Sequence, residues 1–213
     1  MMTISLSDTG KRFNRDWIFR HFNYKFEKGN SYAITGPNGS GKSTLLQVLS
    51  GAMQPSEGHI RYTDINAAGA KTANVEQEEI YRQISICAPY LELVEEMTLL
   101  EFLSFHQAFK SFLPGINAEY IVEILNLNDA AGKQIRYFSS GMKQRAKLAQ
   151  CIFSDVPIVL LDEPCTNLDS NGIELYHGLV EKYCRDRVVV VSSNDKVEYG
   201  FCNALVNILD FKS

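Results

Sequence analysis

The chain opens on extended patterning and turns helical only later. Thr3–Leu6 and Ile18–Phe26 carry β-branched and aromatic residues at strand spacing, which predicts a small antiparallel piece at the start. The short run Tyr32-Ala33-Ile34-Thr35 then ends in a Gly-rich turn. A predicted helix over Ser43–Ser50 follows, with Leu45, Leu46, Val48 and Leu49 on one face, Gly51 as its C-terminal stop and Pro55 beyond. Strands are predicted at Ile60–Thr63 and Ile84–Ala88. Between them, Thr63 to Gln83 has little periodicity and reads as a surface loop or short helix.

Thr98-Leu99-Leu100-Glu101 is a capping box that opens a helix through about Phe112, and Asn117 caps a second, with Tyr120, Ile121, Ile124 and Leu125 on one side. Pro114-Gly115 separates the two. A third helix is predicted from about Ser140 to Phe153, before the apolar strand Ile158–Leu161. The alternation then repeats with a helix within Ser170–Tyr183, the strand Val188–Ser192 and a last strand near Ala204–Leu209. Strands alternating with helices define an α/β fold with a mostly parallel sheet. The helical block at about 90–140 reads as a subdomain inserted into a single domain spanning 1–213.

Composition narrows the function classes. Of 213 residues 45% are hydrophobic and 22% charged, enough apolar surface for a self-sufficient core without a disulfide or metal staple. The 21 Lys+Arg and 25 Asp+Glu give a net charge of −4, with no basic excess for nucleic acid. Cys87, Cys151, Cys165, Cys184 and Cys202 lack the spacing of a zinc or thioredoxin-like site, and read as reduced and mostly buried. The four histidines are scattered and read as solvated or satisfied in the core. No window has the apolar length of a membrane span, and Met1 to Arg15 lacks a signal-peptide core, so the expected location is cytoplasmic.

The strongest chemical signal is Gly36-Pro37-Asn38-Gly39-Ser40-Gly41-Lys42-Ser43, followed by Thr44. Its offsets of glycine, lysine and hydroxyl are those of a phosphate loop. Glycines let backbone N–H groups curl around a polyphosphate, Lys42 sets a cation against the β and γ phosphates, and Ser43 offers its hydroxyl to Mg²⁺. The helix that follows adds the positive end of its dipole. A second signal is Ile158-Val159-Leu160-Leu161-Asp162-Glu163-Pro164, an apolar strand tipped with two acids. Asp162 suits Mg²⁺ held through water, and Glu163 suits the general base that polarises an attacking water.

A third motif, Phe138-Ser139-Ser140-Gly141-Met142-Lys143-Gln144-Arg145, stands just before that strand. Together with the phosphate loop it resembles the nucleotide-binding subunit of ATP-binding-cassette (ABC) transporters. Ser139 and Gly141 match the family signature Leu-Ser-Gly-Gly-Gln, whereas Phe138, Ser140 and Met142 are variants. The resemblance runs from about residue 4 to 195. It implies that Phe13 stacks on adenine, that Thr166-Asn167-Leu168-Asp169 forms the D-loop at a dimer interface, and that Ser139 and Gly141 bind the nucleotide of the opposite chain. It further implies ATP and Mg²⁺ as cofactors, a second ATPase subunit, and a transmembrane permease that meets the helical block near Tyr90, Leu91, Leu93 and Val94. Through that permease the chain would sit on the inner face of the cell membrane.

Two positions depart from the family. The glutamine of the Q-loop falls on Pro89, which has no amide side chain, and the histidine after the last core strand falls on Asn194, which donates a hydrogen bond but carries no proton or charge. Slow but real hydrolysis is the expectation, with Glu163, Lys42 and Asn194 as the catalytic set. A soluble cassette ATPase of a cytoplasmic assembly complex would share every motif. A degenerate nucleotide-gated module in a heterodimer would account for Pro89 and Asn194. No appended regulatory domain is expected after Asn194, since only a strand and a short tail remain.

Overall fold

A computed structural model describes residues 2–65, 72–75 and 77–212. The chain divides into two compact units, one of Met1–Ile86, Pro157–Asp162 and Asp186–Ser213, the other of Cys87–Val156 and Glu163–Arg185.

The first unit contains two sheets. Strands β1 (Met2–Phe13), β2 (Asp16–Glu27), β4 (Glu57–Ile65) and β5 (Thr72–Val75) form an antiparallel sheet in the order β2-β1-β4-β5. The expected opening strand is thus far longer than Thr3–Leu6. Its pairing with β2 shifts register between Leu6 and Thr9 and again around Lys11, and Asp8 and His21 adopt positive φ there. Those bulges break the two-residue period and hide the second half of β1 from a reading based on alternation. The other sheet has the order β6-β7-β8-β3-β9, from β6 (Ile84–Cys87), β7 (Ile158–Asp162), β8 (Val188–Ser192), β3 (Ser31–Thr35) and β9 (Ala204–Asn207). Strand β3 runs parallel to both β8 and β9, and β7 parallel to β8. β7 and β8 are buried at every position, as their unbroken apolar runs require of central parallel strands.

Helix α1 (Lys42–Leu49) sends Leu45, Leu46, Val48 and Leu49 into a core built with Ile4, Phe19, Phe22 and Phe26 of one sheet and Ile34, Leu160 and Val190 of the other. Buried Tyr62 of β4 donates its hydroxyl to the carbonyls of Val48 and Leu49, at 3.3 and 3.1 Å, which ties the last turn of α1 to the antiparallel sheet. Burial pushes the Tyr62 pKa well above that of an exposed phenol.

The second unit is helical. Thr98 caps α2 (Leu99–Phe109) with both halves of the expected box: its hydroxyl accepts from Glu101 N–H, and the Glu101 carboxylate accepts from Thr98 N–H at 2.8 Å. The α2 helix stops three residues short of Phe112. Lys110 is extended, and 111–113 instead bond to 153–155, with Leu113 N–H donating to the Phe153 carbonyl at 2.9 Å and Asp155 N–H to that of Ser111 at 2.8 Å. That long-range pairing wins over the helical spacing of the aromatic residues. Asn117 caps α3 (Ala118–Ile124), Ser139 caps α4 (Ser140–Phe153), and Asp169 caps α5 (Ser170–Tyr183).

In the first unit a short helix α6 (Lys196–Tyr199) follows β8. Strand β9 ends at Asn207 rather than Leu209, because the Asn207 side chain accepts from Leu209 N–H at 3.1 Å and turns the chain into a 3-10 segment over Ile208–Phe211. Of the loop or short helix expected over 63–83, residues 66–71 and 76 lie outside the described residues. The rest holds the end of β4, then β5 and a 3-10 turn at Gln77–Arg82. The cysteines are free thiols, three of them buried. No helix among the described residues is long and apolar enough to cross a membrane.

Candidate nucleotide-binding site

In the first unit the phosphate loop joins β3 to α1. A turn closed by Ser40 N–H on the Pro37 carbonyl, at 3.0 Å, leads to Gly41 at φ 104. A Cβ on Gly41 would collide with the Ile18 side chain of β2, so glycine is required there by both backbone and space. Gly41 is also the N-cap of α1 and offers no side chain to the first-turn N–H groups, which stay available to an anion. Lys42, only 5% exposed, donates its ammonium to the carbonyls of Gly36 at 2.8 Å and Pro37 at 3.4 Å. Ser43 and Thr44 stand half-buried in the first turn.

Asp162 and Ser192 are the last residues of β7 and β8 and pair in register. Asp162 Oδ1 and Ser192 Oγ are buried with no hydrogen-bond partner, as is Ser40 Oγ of the phosphate loop. A buried carboxylate oxygen without a partner is costly unless a cation or donor answers it, so the Asp162 tip fits a hard divalent ion.

Beyond β8, Ser193 N–H donates to the Ile34 carbonyl at 3.2 Å, and exposed Asn194 reaches the phosphate loop. Its Oδ1 accepts from Gly36 N–H at 3.3 Å, and its Nδ2 donates to Asn38 Oδ1 at 2.9 Å. The sequence alone had no means of pairing these two asparagines, because the contact depends on the parallel register of β3 and β8. Phe13 ends β1 and is 46% exposed. The Lys11 ammonium lies 5.5 Å from the centre of its ring and is held there by the Gln54 carbonyl at 2.8 Å. A cation therefore covers one face of Phe13.

In the second unit Glu163 takes a left-handed conformation, φ 44. Its carbonyl accepts from both the N–H and the hydroxyl of Thr166, at 3.2 and 2.9 Å. Gln144 of α4, which motif reasoning left without a role, donates its amide to the Pro164 carbonyl at 2.7 Å. At the start of α4 the Ser139 hydroxyl accepts from Met142 N–H at 3.2 Å. The Asn167 carbonyl would lie 3.0 Å from a Cβ on Gly141, so the segment at Asn167 presses on the first turn of α4 at a position that favours glycine. A cavity of about 380 Å³ lies beside them, lined by residues that include Glu92, Ser140, Lys143, Gln144 and Asn167. Pro89 is exposed, and its carbonyl accepts from Lys147 at 3.2 Å. Of the apolar face expected at Tyr90–Val94, Tyr90, Leu91 and Val94 are exposed. Leu93 turns inward at 8% exposure, and Phe105 and Phe109 of α2 add a second exposed pair, their rings 5.0 Å apart.

A phosphate loop between a parallel strand and a helix, in the same unit as a strand tipped by a buried carboxylate, defines a nucleotide-binding α/β protein of the P-loop class. The sequence model described as ABC transporter matches residues 19–166. Among curated proteins, the chain is 32% identical over 208 residues to the cytochrome c biogenesis ATP-binding export protein CcmA of Rhizobium meliloti, covering 95% of each chain. It is 30% identical over 203 residues to YybJ, an uncharacterised ABC transporter ATP-binding protein of Bacillus subtilis, covering 91% of this chain and 86% of that one. Among solved structures, a putative ABC transporter ATP-binding protein from Pyrococcus furiosus aligns at TM-score 0.79 and 20% identity over 99% of this chain and all of the other. A bacterial ABC transporter cassette solved as a dimer aligns at TM-score 0.78 and 23% identity, over 96% and 94%. The chain belongs to the ABC transporter family, as an ATP-binding cassette protein.

Proposed function

We propose that this chain binds ATP with Mg²⁺ at the phosphate loop and hydrolyses it, and that two such cassettes closing on ATP drive a transmembrane permease. In this reading both compact units belong to one cassette domain. The observation that carries it is the convergence, within one unit, of the seated Lys42, the uncapped start of α1 and the unanswered Asp162 carboxylate oxygen.

Lys42 and the loop N–H groups of Asn38, Gly39 and Gly41 hold the polyphosphate, with Gly36, Pro37 and Ser40 shaping the turn and Thr44 in the first helical turn behind Ser43. Ser43 Oγ and Asp162 would hold Mg²⁺, which neutralises charge on the β and γ phosphates. Glu163 takes a proton from water as the water oxygen bonds to the γ-phosphorus. The bond from that phosphorus to the β–γ bridging oxygen then breaks, leaving ADP and inorganic phosphate. Phe13 offers the adenine its uncovered face. Ser139 and Gly141 complete the site of the second cassette. Asn194 holds the loop and offers an amide where the family carries histidine, and with Pro89 it makes turnover slow. The permease places the chain on the inner face of the cell membrane, and the exposed Tyr90, Leu91, Val94, Phe105 and Phe109 give an apolar surface for it.

Phosphate release from the purified chain, measured against Glu163→Gln, tests this reading, with light scattering to follow ATP-dependent dimerisation of the variant. Release that does not exceed the Glu163→Gln control, or a monomer at saturating ATP and Mg²⁺, would overturn it. Pro89 and Asn194 also favour a second arrangement, in which this chain pairs with a different cassette that retains glutamine and histidine at those positions. Turnover restored only by mixing with such a chain would identify that arrangement.

A further inference from the structure

We propose that Gln144 is a positioning residue for Glu163, holding the turn that aims its carboxylate. The inference rests on the reading of Glu163 as general base. Glu163 adopts a backbone conformation that a residue with a side chain rarely takes, φ 44, and such a conformation persists only where its surroundings over-determine it. Two hydrogen-bonded anchors supply that constraint from within the second unit. The Glu163 carbonyl is held by the Thr166 N–H and hydroxyl, and the next carbonyl, of Pro164, by the Gln144 amide at 2.7 Å. With both carbonyls fixed, the direction in which the Glu163 side chain leaves the backbone is set.

Gln144 is 4% exposed, so its amide is shielded from competing water, and its Nε2 also lies 3.8 Å from Cys87 Sγ at the end of β6. Its place on α4 gives the anchor reach. Ser140, Gln144 and Lys147 are spaced by four and three residues and so share one helix face, and all three line the same cavity. Along that face α4 carries the signature segment at Ser140, the Glu163 turn at Gln144, and the Pro89 carbonyl at Lys147. The chain thus brings a side-chain amide to the Glu163 turn from α4, although position 89 supplies none.

The test is steady-state ATP hydrolysis by the full chain carrying Gln144→Met, which keeps the volume and removes the donor, beside a titration with a fluorescent ATP analogue. The expected result is a kcat lower by about 10- to 100-fold, with KM and nucleotide affinity within about twofold of native, because a displaced general base costs rate and not ground-state binding. Thr166→Val removes the other side-chain anchor and lowers kcat in the same direction, and Thr166→Ser, which keeps the hydroxyl, restores most of it. This pair decides the matter if Gln144→Met fails to fold. A native kcat in Gln144→Met and in Thr166→Val, beside an inactive Glu163→Gln, overturns this inference alone. Native activity in Glu163→Gln overturns the reading of Glu163 and the inference with it.

Discussion

The two compact units treat their buried polar atoms in opposite ways. In the first, Ser40 Oγ, Asp162 Oδ1 and Ser192 Oγ are buried without partners, at the phosphate loop and at the tips of two adjacent parallel strands. In the second no such side-chain atom occurs among the described residues. There Gln144 bonds the Pro164 carbonyl, Arg145 the Leu125 carbonyl at the end of α3, Lys147 the Pro89 carbonyl, and Thr98, Asn117, Ser139 and Asp169 cap their helices. An unanswered buried polar atom costs about 1–3 kcal/mol, so the first unit stores instability at the place where a charged ligand would relieve it. The second unit is satisfied without a ligand.

That contrast is open to attack from both sides. The largest effect is expected at Lys42: Lys42→Ala should weaken nucleotide binding by about 30- to 150-fold, since hydrogen bonds to a charged group are worth about 2–3 kcal/mol. Calorimetric titration with ATP measures it, and a near-native affinity would remove the phosphate loop from the site. Next comes Asp162→Asn, which keeps the shape and removes the charge. Half-maximal hydrolysis should need about tenfold more Mg²⁺, with ATP affinity in the absence of metal little changed.

Smaller again is the asparagine pair. Asn194→Ala and Asn38→Ala should each cost about 1 kcal/mol of nucleotide affinity, and the double variant less than their sum, because both break one contact. Strict additivity in the double-mutant cycle would mean that the pair is not coupled. In the second unit Thr98→Ala should lower thermal stability by about 1 kcal/mol through loss of the capping box and leave ATP affinity alone.

The smallest effect concerns His106. Burial, with Lys110 adding to it, pulls the His106 pKa down from 6.5 to about 4. Ser154 Oγ lies 2.9 Å from its Nε2 and Gln150 Nε2 lies 3.0 Å from its Nδ1, and the amide can only donate, so the neutral ring is the one accommodated. A depressed folded pKa means stability that is complete above about pH 6.5 and is lost as pH falls toward 4. Discounted for its partial exposure, the loss should be below about 1 kcal/mol, and a His106→Gln variant should show a flatter acid limb in thermal melts.

What the sequence disclosed follows the same division. The phosphate loop was legible because each position from Gly36 to Ser43 answers a local demand of the chemistry. The Thr98 box and the cap at Asn117 were legible because caps act over three residues. The end of α2 was not, since Phe112 belongs to the helical period but is claimed by a partner 42 positions away, at Ser154. Nor was the second half of β1, where bulges erase the alternation. The Asn38–Asn194 contact and the role of Gln144 depend on strands and helices far apart in the chain, so no window of sequence contains them.

The register of β3 against β8 pairs Ile34 with Ser192, so Gly36 and Asn194 fall on the next matching positions beyond the strands. The Asn194 side chain there accepts the hydrogen bond that a backbone carbonyl would accept if the ladder continued. Gly36 is thus a loop residue whose amide proton is sheltered like a strand residue's. Its hydrogen–deuterium exchange would report the grip on the phosphate loop directly, slow in the native chain and fast when Asn194 is truncated, before any nucleotide is added.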